Sequence, residues 1–492
     1  MEKKLKKLKN ALGDKINDSI VERKLYSYDA TAIPIEHITP IAVAFPTSSE
    51  DIETIVKICY EEDIPIVPRG AGSGLTGGAT PVVEGSIVIS LEKMNKFYVD
   101  VDNTTAYVEP GVVTSELQDY VESLGLFYPP DPSSFKYSTI GGNIAENAGG
   151  PRCLKYGVTR EYVLGLEMYI KEGKLLKTGN PIIKDVAGYD LTRLVVGSEG
   201  TLGIVSKAIL KLIPKPPYKS TIMGIFNNIE NIGKSVTKIL TSGILPCALE
   251  FMDKNSIQAV QKFYPAGIPE DAEGVLLIEL DGQKESVEKE KMEVSNILKS
   301  LGADVIPAQN PQHEQKLWSA RKNIGPALAN IKSGKINEDI VFPRIYLSEA
   351  LQKINEIAKK YNLTIVNFGH IGDGNLHVNI LYDKLNKEEL ERAEKAVDEV
   401  FELALSYQGS ITGEHGVGLT KKKFLEWQLK DVGIELLKAI KQSFDPKTFL
   451  TQVKLFRYYF VQQSHRRMSY HVNPHRIAKK IMNFHKKMND WF

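Results

Sequence analysis

Two rhythms of apolar and polar positions run through the first 215 residues. IAVAFP (41–46), IPIVP (64–68), SIVISL (86–91) and AYVEPGV (106–112) are short β-branched runs bounded by turn residues, and they predict strands. Between the first two, SEDIETIVKICYEED (49–63) places apolar residues at 52, 55, 56 and 59, which predicts a helix with Ser49 as its N-cap. Non-equivalent strands without a regular strand–helix repeat predict an α+β unit over 1–217. Three prolines in IPKPPYKS (213–220) mark a linker. A second unit, 218–430, interleaves the strand-like runs TIMGIF (221–226), GVLLIEL (274–280) and LTIVNFG (363–369) with charged helices at 283–301 and 386–406. Residues 431–456 read as one more helical segment ending at FDPKTFL, and 457–492 form a separate tail.

Composition narrows the classes. The chain has 492 residues, enough for several cores, with 42% hydrophobic and 25% charged residues as in a soluble globular protein. Lys plus Arg number 62 against 61 Asp plus Glu, so whole-chain charge gives no reason to expect nucleic acid as a partner. No apolar run is long enough for a spanning helix. In MEKKLKKLKNAL, Leu5, Leu8 and Leu12 share one helical face among lysines, which suits a capping helix or a surface anchor on a membrane. Cys59, Cys153 and Cys247 are scattered and never in CxxC spacing, so neither a disulfide framework nor an iron–sulfur cluster is expected. A cytoplasmic location follows as the expectation, with peripheral membrane attachment as the alternative. The tail holds His465, His471, His475 and His485 among basic residues, which fits either a metal- or polyanion-binding tract or a plain terminal extension.

Glycines cluster in three loops. PRGAGSGLTGG contains GxGxxG at Gly72, Gly74 and Gly77, but a further strand-like run follows instead of the helix a dinucleotide fold requires. Residues without β-carbons let backbone N–H groups close on an anion, and a glycine-rich hairpin would show the same letters. STIGGNIAENAGG (138–150), preceded by YPPDPSS, and GSEGTLGIVSKAIL (197–210) repeat the theme. Three such loops suggest one extended ligand with a diphosphate at its middle. Together with VAGYDLTRL, these motifs resemble the vanillyl-alcohol-oxidase-type FAD-binding family, in its D-2-hydroxyacid dehydrogenase branch, over residues 25–456. The resemblance implies a two-subdomain FAD-binding domain over 1–217, an α+β substrate and metal-binding cap over 218–430, and a C-terminal helix packing back on the FAD domain. It places FAD against Pro68, Arg69, Gly70, Ala71, Gly72, Ser73 and Gly74, then Pro130, Asp131, Ser138, Gly141, Gly142, Asn143 and Gly149, with Gly203 and Ile204 towards the adenine. No histidine lies between His37 and His313, so the FAD is expected to be non-covalent.

The second half carries chemistry. In NFGHIGDGNLHVNI (367–380), Gly372 and Gly374 argue against a helix, and a hairpin would bring His370 and His377 together. GSITGEHGVGLTKK (409–422) adds Glu414 and His415. Two histidines and a carboxylate form a common set for Zn²⁺, Mn²⁺ or Fe²⁺ with an open position. The resemblance implies His370, His377 and Glu414 as metal ligands and His415 as the base taking the substrate hydroxyl proton while hydride leaves for the flavin. It also implies Arg321 and Lys335 at the substrate carboxylate and Asn379 beside the hydroxyl oxygen. The expected activity is therefore FAD-dependent oxidation of a D-2-hydroxy acid of the D-lactate, glycolate or D-2-hydroxyglutarate class. Electrons would pass to an external acceptor: an iron–sulfur subunit, an electron-transferring flavoprotein or a quinone. A homodimer is one expected assembly. The alternatives are a flavin oxidase using O₂, or a non-catalytic flavin-carrying subunit of an electron-transfer complex. Where relatives carry an Asn-Pro-Gly segment near the end, this chain has Thr451-Gln452-Val453.

Overall fold

In a computed structural model of the chain, the described residues are 2–451, apart from 33, 34 and 266. The tail 457–492 and the Gln452-Val453 departure lie outside them. The first unit holds two main sheets and a two-stranded ribbon of Leu126–Phe127 with Ile213–Pro214. Ala42–Ala44, Ile87–Ser90 and Ile66–Arg69 run parallel, with Ile16–Asn17 added antiparallel at the edge. All three strands of the parallel set are largely buried, as strands covered on both faces must be. The helix Ser49–Glu61 packs on this sheet through Ile52, Ile55, Val56 and Cys59. Its N-cap is Ser48, one residue earlier than expected, because the Ser48 hydroxyl accepts the Asp51 N–H. The second sheet is antiparallel, in the order Phe97–Asp100, Thr105–Val108, Ile204–Lys211, Val163–Tyr169, Leu175–Gly179. These two sheets make the first unit bipartite.

The N-terminal helix Glu2–Leu12 settles one alternative. Leu8 and Leu12 are buried in the same core as Ile52 and Ile55, and Leu5 packs against it, so the leucine face is not available to a membrane. No helix among the described residues is long and apolar enough to cross a membrane.

Seven antiparallel strands form the sheet of the second unit: Asp304–Pro307, Tyr218–Phe226, Gly274–Gly282, Ala248–Asp253, Thr364–Gly369, Asn375–Tyr382 and Gly334–Val341. Amphipathic helices, among them Leu347–Tyr361 and Lys387–Ser406, cover one face. The other face carries a smaller core around Met252, Val366, Phe368 and Leu381, and it holds the chemistry. The last helix begins at Lys422 rather than 431, ends at Phe444, and breaks at Lys430, whose φ is +59°. Beyond it the chain returns to the first sheet, where Thr451 donates its N–H to the Ile66 carbonyl and Ile66 donates to that of Phe449.

Candidate active site

The three small-residue loops meet around one cavity of about 510 Å³. Pro68, Arg69, Gly70, Ala71, Gly72, Ser73 and Gly74 line one wall; Ser138, Gly141, Gly142, Asn143 and Gly149 line a second; Gly203 and Ile204 close a third. Two expected residues do not reach it. Pro130 turns its carbonyl to Gln118 Nε2 at 2.8 Å, and Asp131 faces Arg152 at 3.6 Å, so Pro132, Ser133 and Ser134 form that wall instead. Burial pushes the Asp131 carboxyl up to about 6 despite Arg152.

The glycines have steric reasons. A Cβ at Gly70 would lie 2.5 Å from Thr139 Oγ1, so the first two loops touch there. Gly72 has φ +69°, and the Arg69 guanidinium fills the space a side chain would need. Arg69 itself donates to the Tyr28 carbonyl at 2.7 Å and lies over the Tyr26 ring, so it braces the loop. A Cβ at Gly74 would meet nothing within 4 Å, which leaves open space on that side of the loop. The cradle of bare backbone around an open volume fits an extended ligand with a diphosphate.

One end of the cavity is formed by Glu414 and His415. Gly149 lets the loops approach there, since a Cβ on it would come within 2.7 Å of Glu414 Oε2. The histidines reach the same place from a tight connection. Strand Thr364–Gly369 passes through a 3₁₀ turn, Ile371–Asp373, into strand Asn375–Tyr382, and Gly374 at φ +87° closes the turn against the Phe342 carbonyl. The Nε2 atoms of His370, His377 and His415 all converge on Glu414 Oε1, at 3.3, 3.5 and 3.7 Å. The rings of His377 and His415 stack, with centroids 5.2 Å apart. Ligand atoms of Asp339, His377, Glu414 and His415 lie within 4.8 Å of one another, and His370 joins through Glu414.

Buried partners orient this cluster. His370 Nδ1 bonds Glu250 Oε1 at 2.5 Å, which turns Nε2 towards Glu414; Glu250 Oε2 accepts Arg321 Nε at 2.6 Å. A ring nitrogen held by a carboxylate is the usual support of a metal-ligating histidine. Burial disfavours charge on His370, but Glu250 and Glu414 outweigh it and raise its pKa well above the ordinary value. Burial and the neighbouring rings of His370 and His415 push His377 well below. Glu250, though buried, is held down to about 2 by His370 and Arg321. Asp339 Oδ2 accepts the N–H groups of Gly413, Glu414 and His415 and the Thr412 hydroxyl, all at 2.8–2.9 Å, which pins the start of the loop. The donor set fits a divalent ion.

Strand Gly334–Val341 extends the polar face. Lys335, Asn337 and Asp339 alternate along it, opposite Leu381, Asn379 and His377. The Lys335 ammonium makes no hydrogen bond or ion pair among the described residues, and burial lowers its pKa. Asn379 is fully buried, with its amide engaged by the Val366 and His377 carbonyls and by Asn337. Asn337 was not anticipated, and its Oδ1 is buried without a partner. The Arg321 guanidinium sits over the Phe368 ring at 4.6 Å. Glu250, Asn337 and Asp339 were missed because no motif flags them. For Asn337 and Asp339 a signal existed in the K-x-N-x-D alternation of a strand.

Comparison with known proteins extends the geometry. Residues 40–179 match the family described as FAD binding domain, and residues 215–455 match FAD linked oxidases, C-terminal domain. The chain is 47% identical over 447 residues to the glycolate oxidase subunit GlcD of Bacillus subtilis, covering 90% of this chain and 94% of that protein. It is 33% identical to a D-lactate dehydrogenase of Anaerostipes hadrus, covering 90% and 94%. The structure of p-cresol methylhydroxylase superposes with a TM-score of 0.78 at 21% identity, over 92% of this chain and 95% of that one, which shows a shared fold.

Proposed function

We propose that this chain, which belongs to the FAD-linked oxidase family, is an oxidoreductase that converts a small D-2-hydroxy acid to its 2-oxo acid. The observation that carries this reading is the convergence of three imidazoles on Glu414 at one end of the cavity. The relatives named for glycolate and D-lactate give the substrate class. Residues 1–217 would hold FAD non-covalently, and 218–430 the substrate and a divalent ion (Zn²⁺, Mn²⁺ or Fe²⁺) on His370, His377 and Glu414. When bound, FAD supplies a two-electron acceptor for the substrate C–H hydride and the ion a Lewis acid for its oxygen.

The protein's own groups supply the rest. His415 lines the cavity, whereas His370 and His377 do not, so His415 is the imidazole placed to take the hydroxyl proton at Nε2. Lys335 and Arg321, on one side of the sheet, would bind the substrate carboxylate, with Lys335 as the cation whose ammonium has no partner among the described residues. Asn379 would hold the hydroxyl side of the pocket in shape, with Asn337 Nδ2 donating to its Oδ1. The relative named as a glycolate oxidase subunit supports assembly with other chains, and the electrons would pass to an external acceptor: an iron–sulfur subunit, an electron-transferring flavoprotein or a quinone.

Anaerobic mixing of the flavin-loaded protein with D-lactate, glycolate and D-2-hydroxyglutarate, and with the L-acids, tests this reading. Bleaching of the flavin by at least one D-acid or glycolate, and its absence in His415→Ala with FAD and metal still bound, is expected. Reoxidation should be slow in air and fast with an artificial dye. Bleaching by none of the acids would sink the proposal, and equal rates in air and dye would favour an oxidase.

A further inference from the structure

The loop 412–418 carries both Glu414 and His415, and little of its backbone pairs within itself. Its first half hangs from Asp339, a residue of the substrate half. Its second half hangs from the flavin half. Glu199, in the third small-residue loop, accepts the Val417 N–H on Oε1 at 2.8 Å and the Gly418 N–H on Oε2 at 2.7 Å. Around it, Leu419 donates its N–H to the Thr76 carbonyl at 2.8 Å, and Thr76 Oγ1 donates to the His415 carbonyl at 3.2 Å.

Several features show that Glu199 is held for this contact. It is buried, at 5% exposure, and it lines the cavity. Its φ is +54°, a region a β-carbon tolerates only when the surroundings enforce it, and its N–H is fixed on the Ala145 carbonyl at 2.7 Å. Its partners are equally constrained. Gly416 has φ +78°, and a Cβ there would come within 2.4 Å of Glu146 Oε2 and 3.1 Å of Glu199 Oε1. A Cβ at Gly418 would lie 2.2 Å from the Thr76 carbonyl oxygen. Hydrogen bonds from N–H groups to a carboxylate in a buried site are stronger and shorter than neutral ones, so this joint is stiff.

We infer that Glu199 is a positioning residue that registers the Glu414–His415 loop against the flavin loops. Asp339 sets the loop relative to His377, its cross-strand partner, and Glu199 sets it relative to the cavity wall. With both anchors, the carboxylate of Glu414 is fixed towards the histidines and His415 towards the flavin pocket. The inference rests on the functional reading above for what the loop does, but its geometry is independent of the substrate.

Glu199→Gln and Glu199→Ala test it in the flavin-loaded, full-length chain. Glutamine keeps the volume but turns an amide NH₂ against one of the two N–H groups; alanine removes both acceptors. Mn²⁺ titration of metal-stripped protein should show affinity weaker by about 10- to 100-fold, the usual effect of losing a group that orients a ligand. Hydrogen exchange in a peptide spanning 412–419 should accelerate in both variants, compared at matched FAD occupancy. Glu199→Asp should recover part of the affinity. Wild-type Mn²⁺ affinity together with wild-type exchange in Glu199→Gln would overturn the inference. Neither readout needs turnover. If no hydroxy acid bleaches the wild-type flavin, the functional reading fails while these two measurements still judge Glu199. If the wild-type protein takes up no Mn²⁺, the exchange measurement alone decides.

Discussion

Lys335 and the histidine cluster show what single residues contribute. A half-buried ammonium with no carboxylate beside it among the described residues is costly, and burial already lowers its pKa. An incoming carboxylate removes that cost. In Lys335→Met the KM for the hydroxy acid should therefore rise by roughly 10- to 100-fold, matching the about 1.5–3 kcal/mol of a hydrogen bond to a charged group. FAD content should not change, and an unaltered KM would place the carboxylate elsewhere. The histidines and Glu414 were picked out in the sequence because two glycine-bracketed motifs resemble those of the family, and the structure brings these side chains together. Glu250 was not legible. It sits inside an ordinary apolar strand, Ala248–Asp253, and only the register brings it to His370 Nδ1. That Pro130 and Asp131 lie outside the cavity wall was not legible for a similar reason: the PPDPSS motif identifies a loop but not which of its residues face inward.

Elements were legible where one period dominated. Ser49–Glu61, Lys284–Ser300 and Lys387–Ser406 fall within a few residues of their expected spans, because each has a sustained helical stripe. Gly334–Val341 went unread as a strand, since its alternate positions are Lys335, Asn337 and Asp339, polar residues that lie opposite Leu381, Asn379 and His377 rather than on an open solvent face. Asp253 shows how elements are tied. Its Oδ1 caps the helix Lys254–Phe263 through the Ser256 N–H at 2.8 Å, and its Oδ2 accepts the Asn367 N–H at 2.7 Å, joining helix to strand. Burial raises its folded pKa from 3.8 to about 6, more than these hydrogen bonds lower it. The folded state then binds a proton more tightly than the unfolded chain between those values. The contribution of Asp253 to stability is thus greatest below pH 3.8 and falls as pH rises to about 6, by about 3 kcal/mol. Urea unfolding of wild type and Asp253→Asn across pH 4–7.5 should show the difference between them drifting in that direction and flattening above pH 6–7. A pH-independent difference would mean the carboxyl is not desolvated.

At the scale of the whole molecule, the two halves are joined by partly buried ion pairs and hydrogen bonds as well as by the linker. Lys155 and Tyr156 of the first half bind Asp281 of the second at 2.5 and 2.6 Å, and Arg152 lies 3.9 Å from Glu279. The C-terminal helix makes the third junction. Lys441, almost fully buried, donates to Asp445 Oδ2 and to the Thr201 carbonyl at 2.6 Å, and to the Leu450 carbonyl at 3.0 Å. Asp445 in turn accepts the N–H groups of Phe449 and Leu450. These contacts hold 449–451 beside Ile66, at the start of the strand that runs into the first glycine loop. The sequence analysis did not single out Lys441 and Asp445, because a lysine and an aspartate four residues apart at a helix end carry the pattern of an ordinary exposed ion pair. Burial changes its weight. Lys441→Met leaves the Asp445 carboxylate buried without its counter-charge and should cost about 3–5 kcal/mol. Denaturant unfolding should show the midpoint falling accordingly, with FAD lost at lower denaturant than in wild type. Lys441→Met combined with Asp445→Asn should recover a substantial part, since the unpaired charge is then gone. A single variant that unfolds like wild type would show that the C-terminal helix does not support the flavin loops.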